Sequence, residues 1–299
     1  MQKEAIMKIM FVINPVSGGK AKSNWEATIR EYFKESPHNM EFYLLTGSED
    51  ATSVRHHIQS INPSRVVGVG GDGTIKMLAE ILQGTAIPLG IIPAGSANGM
   101  ARELGIPVNI NTSLDIVMNG TVRPIDLIHI NNELCIHLSD IGLNAMLVKY
   151  FEKSKKRGMW GYGKAVFRVL WEKQKMYATI TTDTDTYKRK AYMVTIANAR
   201  KYGTGANINP DGDVADGYFE VVVVRKLNLI EICKAIFTDK SFHPRRIEVF
   251  KTKTLKLSVL KKAYFQVDGE YRGKIKSLEA RIFPANLLVV FPNGEGGGA

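Results

Sequence analysis

Three runs of small residues in the first half of the chain could do chemistry: Asn14-Pro15-Val16-Ser17-Gly18-Gly19, Gly70-Gly71-Asp72-Gly73-Thr74 and Pro93-Ala94-Gly95-Ser96-Ala97-Asn98. Gly68, Gly70, Gly71 and Gly73 fall within six residues. Without a Cβ, such residues let backbone N–H groups come close to an anion, and a helix N-terminus adds a favourable dipole. Asp72 would repel a bare phosphate, but it fits where Mg2+ sits between carboxylate and phosphates. A tight strand-to-helix turn with Asp72 as its cap explains the same residues without a ligand. Three such loops at strand ends favour a nucleotide triphosphate pocket more than any one of them does, because open α/β sheets bind ligands at that edge.

Two motifs follow in the second half. Asp211-Gly212-Asp213-Val214-Ala215-Asp216-Gly217 fails as a calcium loop, with Ala215 fifth and glycine seventh. Asp213 and Asp216 could still hold one hard cation, or the segment could be a polar turn. Val267-Asp268-Gly269-Glu270 ends a strand in an Asp-Gly turn, a common hairpin signal. Other chemistries are excluded. Gly68, Gly70 and Gly73 match GxGxxG, but residues 81–102 contain no Asp or Glu, so a dinucleotide site is rejected. There is no GxxxxGK[ST], HRD or DFG, no histidine pair at metal spacing, and the two cysteines lie far apart.

The elements that must position these loops follow from periodicity. Strands are expected at 8–14, 41–46, 65–69 and 88–92, and helices at 23–34, 50–60, from the glycine run to 83, and 112–118. That alternation implies a parallel sheet in an α/β domain. After about residue 121 many short strands appear: 122–130 and 134–140 as a pair, then 177–183, 187–197, 218–225, 248–250, 254–259, 263–267, 277–283 and 287–291. A basic aromatic helix is expected at 149–175 and another helix at 228–237. The second half therefore reads as an antiparallel sandwich or barrel. The expected domains are 1–126 and 127–293, with a disordered tail at 294–299.

The chain has 299 residues, 44% hydrophobic and 23% charged, which excludes disordered, collagenous and coiled-coil classes. Residues 1–126 carry 11 Lys+Arg against 12 Asp+Glu, while the rest carries 29 against 17. The positive charge belongs to the second half and suits an anionic partner. Two unpaired cysteines point to a reducing compartment, and no apolar run reaches the ~18 residues of a membrane span. A soluble, cytoplasmic protein is expected.

The motifs Asn14-Pro15…Ser17-Gly18, Gly70-Gly71-Asp72-Gly73-Thr74, Pro93–Asn98, Asp213…Asp216-Gly217-Tyr218 and Asp268-Gly269-Glu270 span nearly the whole chain. In that order they resemble the diacylglycerol/sphingosine kinase family of lipid kinases, in its soluble bacterial form. The resemblance implies an N-terminal nucleotide domain, a β-rich C-terminal domain and an active site in the cleft between them. It implies ATP contacts from Asn14, Ser17, Gly18, Thr46, Gly71, Asp72, Gly73, Thr74 and Ser96, with Asp72 working through Mg2+. It implies a structural Mg2+ site at Asp213, Asp216 and the backbone of Tyr218. Glu270 matches the general base, and Asp268 and Asp126 match acidic residues near the reaction. The family's glycine loop usually continues with Asn and Glu, where this chain has Lys76 and Met77; Lys76 is in reach of a phosphate in one reading, but a solvated helix lysine is the preferred one.

The expected function is ATP-dependent phosphorylation of a lipid hydroxyl, on diacylglycerol or a sphingosine-like lipid. A soluble-substrate kinase of the NAD kinase type and a regulatory lipid-binding protein that has lost catalysis are the alternatives. The expected partners are a membrane lipid and an anionic membrane surface, met peripherally, with no nucleic acid; the oligomeric state is open, a homodimer being one option. Residues 149–175 supply the membrane contact in this reading, with nine Lys/Arg, Trp160 and Trp171, as interfacial helices combine charge and rings; a helix whose aromatics pack into the core and whose charges are merely solvated explains the same residues.

Overall fold

Short β-branched and apolar runs form the parallel strands of the first half: β1 (Lys8–Ile13), β2 (Asn39–Leu44), β3 (Arg65–Gly70) and β4 (Leu89–Pro93). Every residue of β3 and β4 is buried, as expected for parallel strands covered on both faces. The helices between them are α1 (Trp25–Tyr32), α2 (Asp50–Ile61), α3 (Asp72–Leu82), α4 (Gly99–Glu103) and α5 (Ile110–Asn119). In α2 the buried residues Val54 and Ile58 sit four apart, one per turn of a single face. Phe11 anchors the core, its ring 5.9 Å from Phe33 and 5.5 Å from Phe42. The computed structural model describes residues 6–17, 24–47, 49–152, 174–198, 201–202, 206–207, 212–226 and 247–293.

Register decides what these strands can do. Ile13 lies opposite Leu44 on one side and Val69 on the other, and Val69 lies opposite Ile92. The four strands thus end on one row, and the chain leaves all four at the same level.

The second half contributes β5 (Thr121–Ile130), β6 (Glu133–Cys135), β7 (Leu138–Gly142), α6 (Leu143–Glu152), β8 (Met176–Thr181), β9 (Thr186–Ala191), β10 (Met193–Ala197), β11 (Lys201–Tyr202), β12 (Ala206–Asn207), β13 (Phe219–Val224), β14 (Ile247–Thr252), β15 (Thr254–Val267) and β16 (Glu270–Phe291). The order β14-β13-β10-β7-β15-β16 is antiparallel throughout. β8 pairs with the first half of β15, and β9 pairs with β8. The expected α/β and β-rich halves are both present. The core of the second includes Ile128, Ile141, Val194, Phe219, Val221 and Phe265.

Four strand expectations change; the strand expected at 187–197 is two, β9 and β10, and those expected at 277–283 and 287–291 are one, β16. The strand expected at 134–140 is two strands, because Ile136 and His137 turn away to donate their N–H groups to a carboxylate. The strands expected at 254–259 and 263–267 are one, joined through a register irregularity. The chain divides into one compact unit of Met1–Ile125 with Ala285–Ala299 and another of Asp126–Pro284. The end of β16 lies in the first because Val289 pairs in parallel with Leu89 and Asn286 accepts the Gly84 N–H at 2.7 Å. The helix expected at 228–237, the tail, and all but the ends of the 149–175 stretch lie outside the described residues.

Candidate active site

In the first unit, the row of strand ends gathers the loops that follow Ile13, Leu44, Gly70 and Pro93. Asn14 joins the first loop to the third: its Nδ2 donates to Thr74 Oγ1 at 3.3 Å, while its Oδ1 accepts the Val16 N–H at 3.1 Å. The third and fourth loops touch backbone to backbone. A Cβ at Gly95 would lie 2.5 Å from the Cα of Gly71, and one at Gly71 would lie 3.2 Å from the Cα of Gly95. Asn98, at φ 52°, closes the fourth loop on itself by accepting the Gly95 N–H at 2.8 Å and donating to the Gly95 carbonyl at 2.9 Å.

Helix α3 opens on this edge. Gly71 is its N-cap and supplies no side-chain cap, so first-turn N–H groups remain available to an anion. Asp72 Oδ1 accepts the Met100 N–H at 3.2 Å, which fixes the carboxylate beside those amides. A hard-cation donor held next to free amides is what a metal–phosphate pair requires, and Asp72 therefore fits Mg2+. Gly73 and Ser96 are exposed, and Asn14 and Asp72 are half-buried. Thr46 is exposed, with its hydroxyl donating to Asp50 Oδ1 at 3.1 Å. Asp50 also accepts the N–H groups of Thr46 and Gly47, which lower its carboxyl pKa. Ser17 sits half-buried after β1, and Gly18 lies outside the described residues. Lys76 is a correction: it is only 8% exposed, on the inward side of α3 with Ile75 and Ala79.

In the second unit, Asp268 and Gly269 occupy φ 50° and 83°, the pair of positive values a two-residue I′ hairpin demands. The Asp268 carboxylate accepts the N–H groups of Ile136, His137 and Leu138 at 3.3, 3.0 and 3.3 Å, and the Cys135 thiol at 3.5 Å. It holds the break between β6 and β7. Glu270 follows at the start of β16 and is exposed. Arg272 reaches it at 2.5 Å while also gripping Glu133 at 2.7 Å.

Asp213 and Asp216 share one loop. Asp213 accepts the Ala215 N–H at 3.0 Å; Asp216 accepts the Tyr218 N–H at 2.9 Å and the Lys251 ammonium at 2.6 Å. Asp126 anchors the loop from below, accepting the Gly217 N–H at 2.6 Å. Two carboxylates in one loop suit a hard cation, and Lys251 now neutralises one of them. Among the described residues no three His, Cys, Asp or Glu cluster at metal distance.

Sequence reasoning missed Asp50, Lys251 and the Met100 amide. Asp50 had a signal, a carboxylate opening a helix just after Thr46-Gly47; Lys251 and Met100 had none, since their partners are 35 and 28 residues away.

The diacylglycerol kinase catalytic domain family matches residues 8–130, and the YegS C-terminal NAD kinase beta sandwich-like domain matches residues 139–291. The chain belongs to the diacylglycerol kinase family of lipid kinases. The kinase is 26% identical over 293 residues to a diacylglycerol kinase of Bacillus subtilis (strain 168), covering 94% of this chain and 95% of that one. It is 26% identical over 288 residues to one from Staphylococcus aureus (strain bovine RF122 / ET3-1), covering 93% and 88%. In fold it matches a crystal structure of a diacylglycerol kinase from Bacillus anthracis str. Sterne, with TM-score 0.75, 17% identity, and 97% and 99% coverage. No helix among the described residues is long and apolar enough to cross a membrane.

Proposed function

We propose that this kinase transfers the γ-phosphate of ATP to the hydroxyl of a diacylglycerol or a sphingosine-like lipid at a membrane surface it meets peripherally from the cytoplasm. The observation that carries the reading is the shared level of the four loops after β1, β2, β3 and β4, with Asp72 at the uncapped start of α3. Phosphoryl transfer needs positioning and charge neutralisation more than covalent help. The α3 amides and Asn14 position the triphosphate, Thr46 and Ser96 flank it, and Asp72 holds Mg2+, which when bound neutralises phosphate charge. Glu270 accepts the proton of the attacking hydroxyl; its exposure leaves its carboxylate accessible to an acceptor, and Arg272 fixes its rotamer.

The NAD kinase-like description of the matched second domain favours a second reading, a soluble acceptor. One experiment separates them: incubation with radiolabelled ATP and mixed micelles of diacylglycerol, sphingosine and monoacylglycerol, beside NAD without detergent. Label in a lipid supports the proposal. Label in NAD alone replaces it with the soluble-substrate reading, and no label in any acceptor points to a regulatory lipid binder.

A further inference from the structure

A cationic and aromatic cluster on the second unit is unused by the transfer reaction. Tyr264 stands opposite Lys274 in the β15–β16 hairpin. The Lys274 ammonium lies 4.4 Å from the Tyr264 ring centroid and the Lys149 ammonium, from α6, lies 4.5 Å from it. Lys149 also donates to the Tyr264 hydroxyl at 3.3 Å and lies 5.9 Å from the Tyr271 ring.

The hairpin is shaped to make this cluster. Tyr271 and Lys274 are three residues apart and would face opposite sides of a regular strand. The register steps from Tyr264↔Lys274 to Gln266↔Tyr271, so Arg272 and Gly273 oppose Phe265 alone. Gly273 takes φ 93°, a left-handed value that glycine adopts at little cost. The bulge turns Tyr271 and Lys274 to the same face as Tyr264. A buried clamp fixes α6 against that face: Asp140, fully buried, accepts the Ala145 N–H at 2.8 Å and the Gln266 amide at 2.5 Å. Gln266 in turn accepts the Gly269 N–H at 2.7 Å.

What the cluster lacks is counter-charge. Lys251 and Lys256 of the same unit meet Asp216 and Glu279 at 2.6 and 3.1 Å, whereas among the described residues Lys149 and Lys274 meet no carboxylate at ion-pair distance. Ring faces attract ammonium groups but carry no net charge. Burial pushes the Tyr264 hydroxyl up, yet hydrogen bonds from Lys149 and Tyr150 and the charges of Lys149 and Lys274 outweigh it and lower its pKa. The field at that hydroxyl is therefore positive.

We propose that Lys149, Lys274 and the Tyr264 hydroxyl form a binding site for a phosphate group, carried on a lipid headgroup or free in solution. The chemistry is that of charged N–H donors and a hydroxyl offered to a multi-oxygen anion. It does not depend on the transfer reaction or on its acceptor.

The test compares wild type with Lys149→Gln/Lys274→Gln and with a charge-matched control, Lys188→Gln/Lys261→Gln, whose lysines are exposed elsewhere on the unit. Three probes are used: inorganic phosphate, soluble dihexanoyl phosphatidate, and phosphatidylcholine vesicles with and without phosphatidate. Each engaged lysine contributes about fivefold in affinity, so the cluster variant loses about 25-fold on whichever phosphate probe binds, while the control stays within about twofold. Binding of inorganic phosphate assigns a free-phosphate site, and binding only of the lipid-borne probes assigns a headgroup site; either supports the proposal. Bound phosphate also raises the Tyr264 ionisation midpoint in wild type but not in the cluster variant, read by tyrosinate absorbance against Tyr264→Phe. Equal loss in the control, or no binding of any probe by wild type, overturns the site. Lys149→Arg/Lys274→Arg, which keeps the charge, retains binding if the cluster variant's loss is not misfolding; loss in both overturns it.

Discussion

Replacing Gly95 with alanine puts a Cβ 2.5 Å from the Cα of Gly71 and 2.9 Å from Asn98 Oδ1. Carbon atoms in contact prefer ~3.5–4.0 Å, so the third and fourth loops must separate by about 1 Å, with no flexible side chain to yield. Overpacking of this kind costs ~1–3 kcal/mol, or roughly 3–10 °C in the melting of a unit this size. Gly71→Ala meets the same backbone at 3.2 Å and needs only a few tenths of an ångström, so its cost stays under about 1 kcal/mol. Gly73→Ala differs in sign. Nothing lies within 4 Å of its Cβ, and alanine in a helix gains ~0.5–1 kcal/mol over glycine. Yet Gly73 is exposed in the uncapped first turn of α3, where a methyl group blocks close approach of phosphates. Its KM for ATP is expected to rise about tenfold, equivalent to ~1.4 kcal/mol, while its melting temperature rises. Gly95→Ala should melt earlier and also lose about 10² in turnover, because ~1 Å of misplacement is enough for that. Calorimetry with steady-state kinetics over ATP concentration reads both axes. A Gly73→Ala protein with normal KM for ATP would refute the placement of phosphates at α3, and a Gly95→Ala protein that melts with wild type would refute the backbone contact.

Glu270→Gln should reduce turnover by ~10²–10⁴ at unchanged folding, since Arg272 keeps Glu133; a folded variant with near-normal turnover removes Glu270 as the base. Asp72→Asn is expected to lose activity and its Mg2+ dependence together, because a neutral amide is a poor Mg2+ ligand; kinetics matching wild type would leave Asp72 as a helix-start residue only. Asp268→Ala strands the three amides of Ile136, His137 and Leu138 and should cost about 2–4 kcal/mol, measured by urea unfolding, with an unchanged midpoint counting against the role. Tyr32 is pushed up to about 12 by burial and by its hydrogen bond to Asp115. Its folded-state value lies above the unfolded one, so the stabilisation is complete below pH 10 and lost as pH rises through about 12. Tyr32→Phe should delete one late-ionising tyrosine from the alkaline absorbance titration, and an unaltered curve would contradict it.

The sequence by itself determined the kinds of element and the glycine-rich loops. Val- and Ile-rich runs broken by helical periods can only be covered parallel strands, and Asp268-Gly269 is a hairpin because only such residues tolerate two positive φ values cheaply. It also offered Asp72 as a candidate by type and spacing, and Glu270 as one through the family resemblance. What only the tertiary structure decided is where long-range partners fall. Nothing local shows that residues 287–291 pair with Leu89, that Asp268 holds the amides of 136–138, or that Lys251 meets Asp216. Lys76 reads as solvated because its neighbours in sequence do not reveal which side of α3 is covered. Pairings of this kind depend on strand register and on elements 28 to 200 residues away, and local propensity carries no information about either.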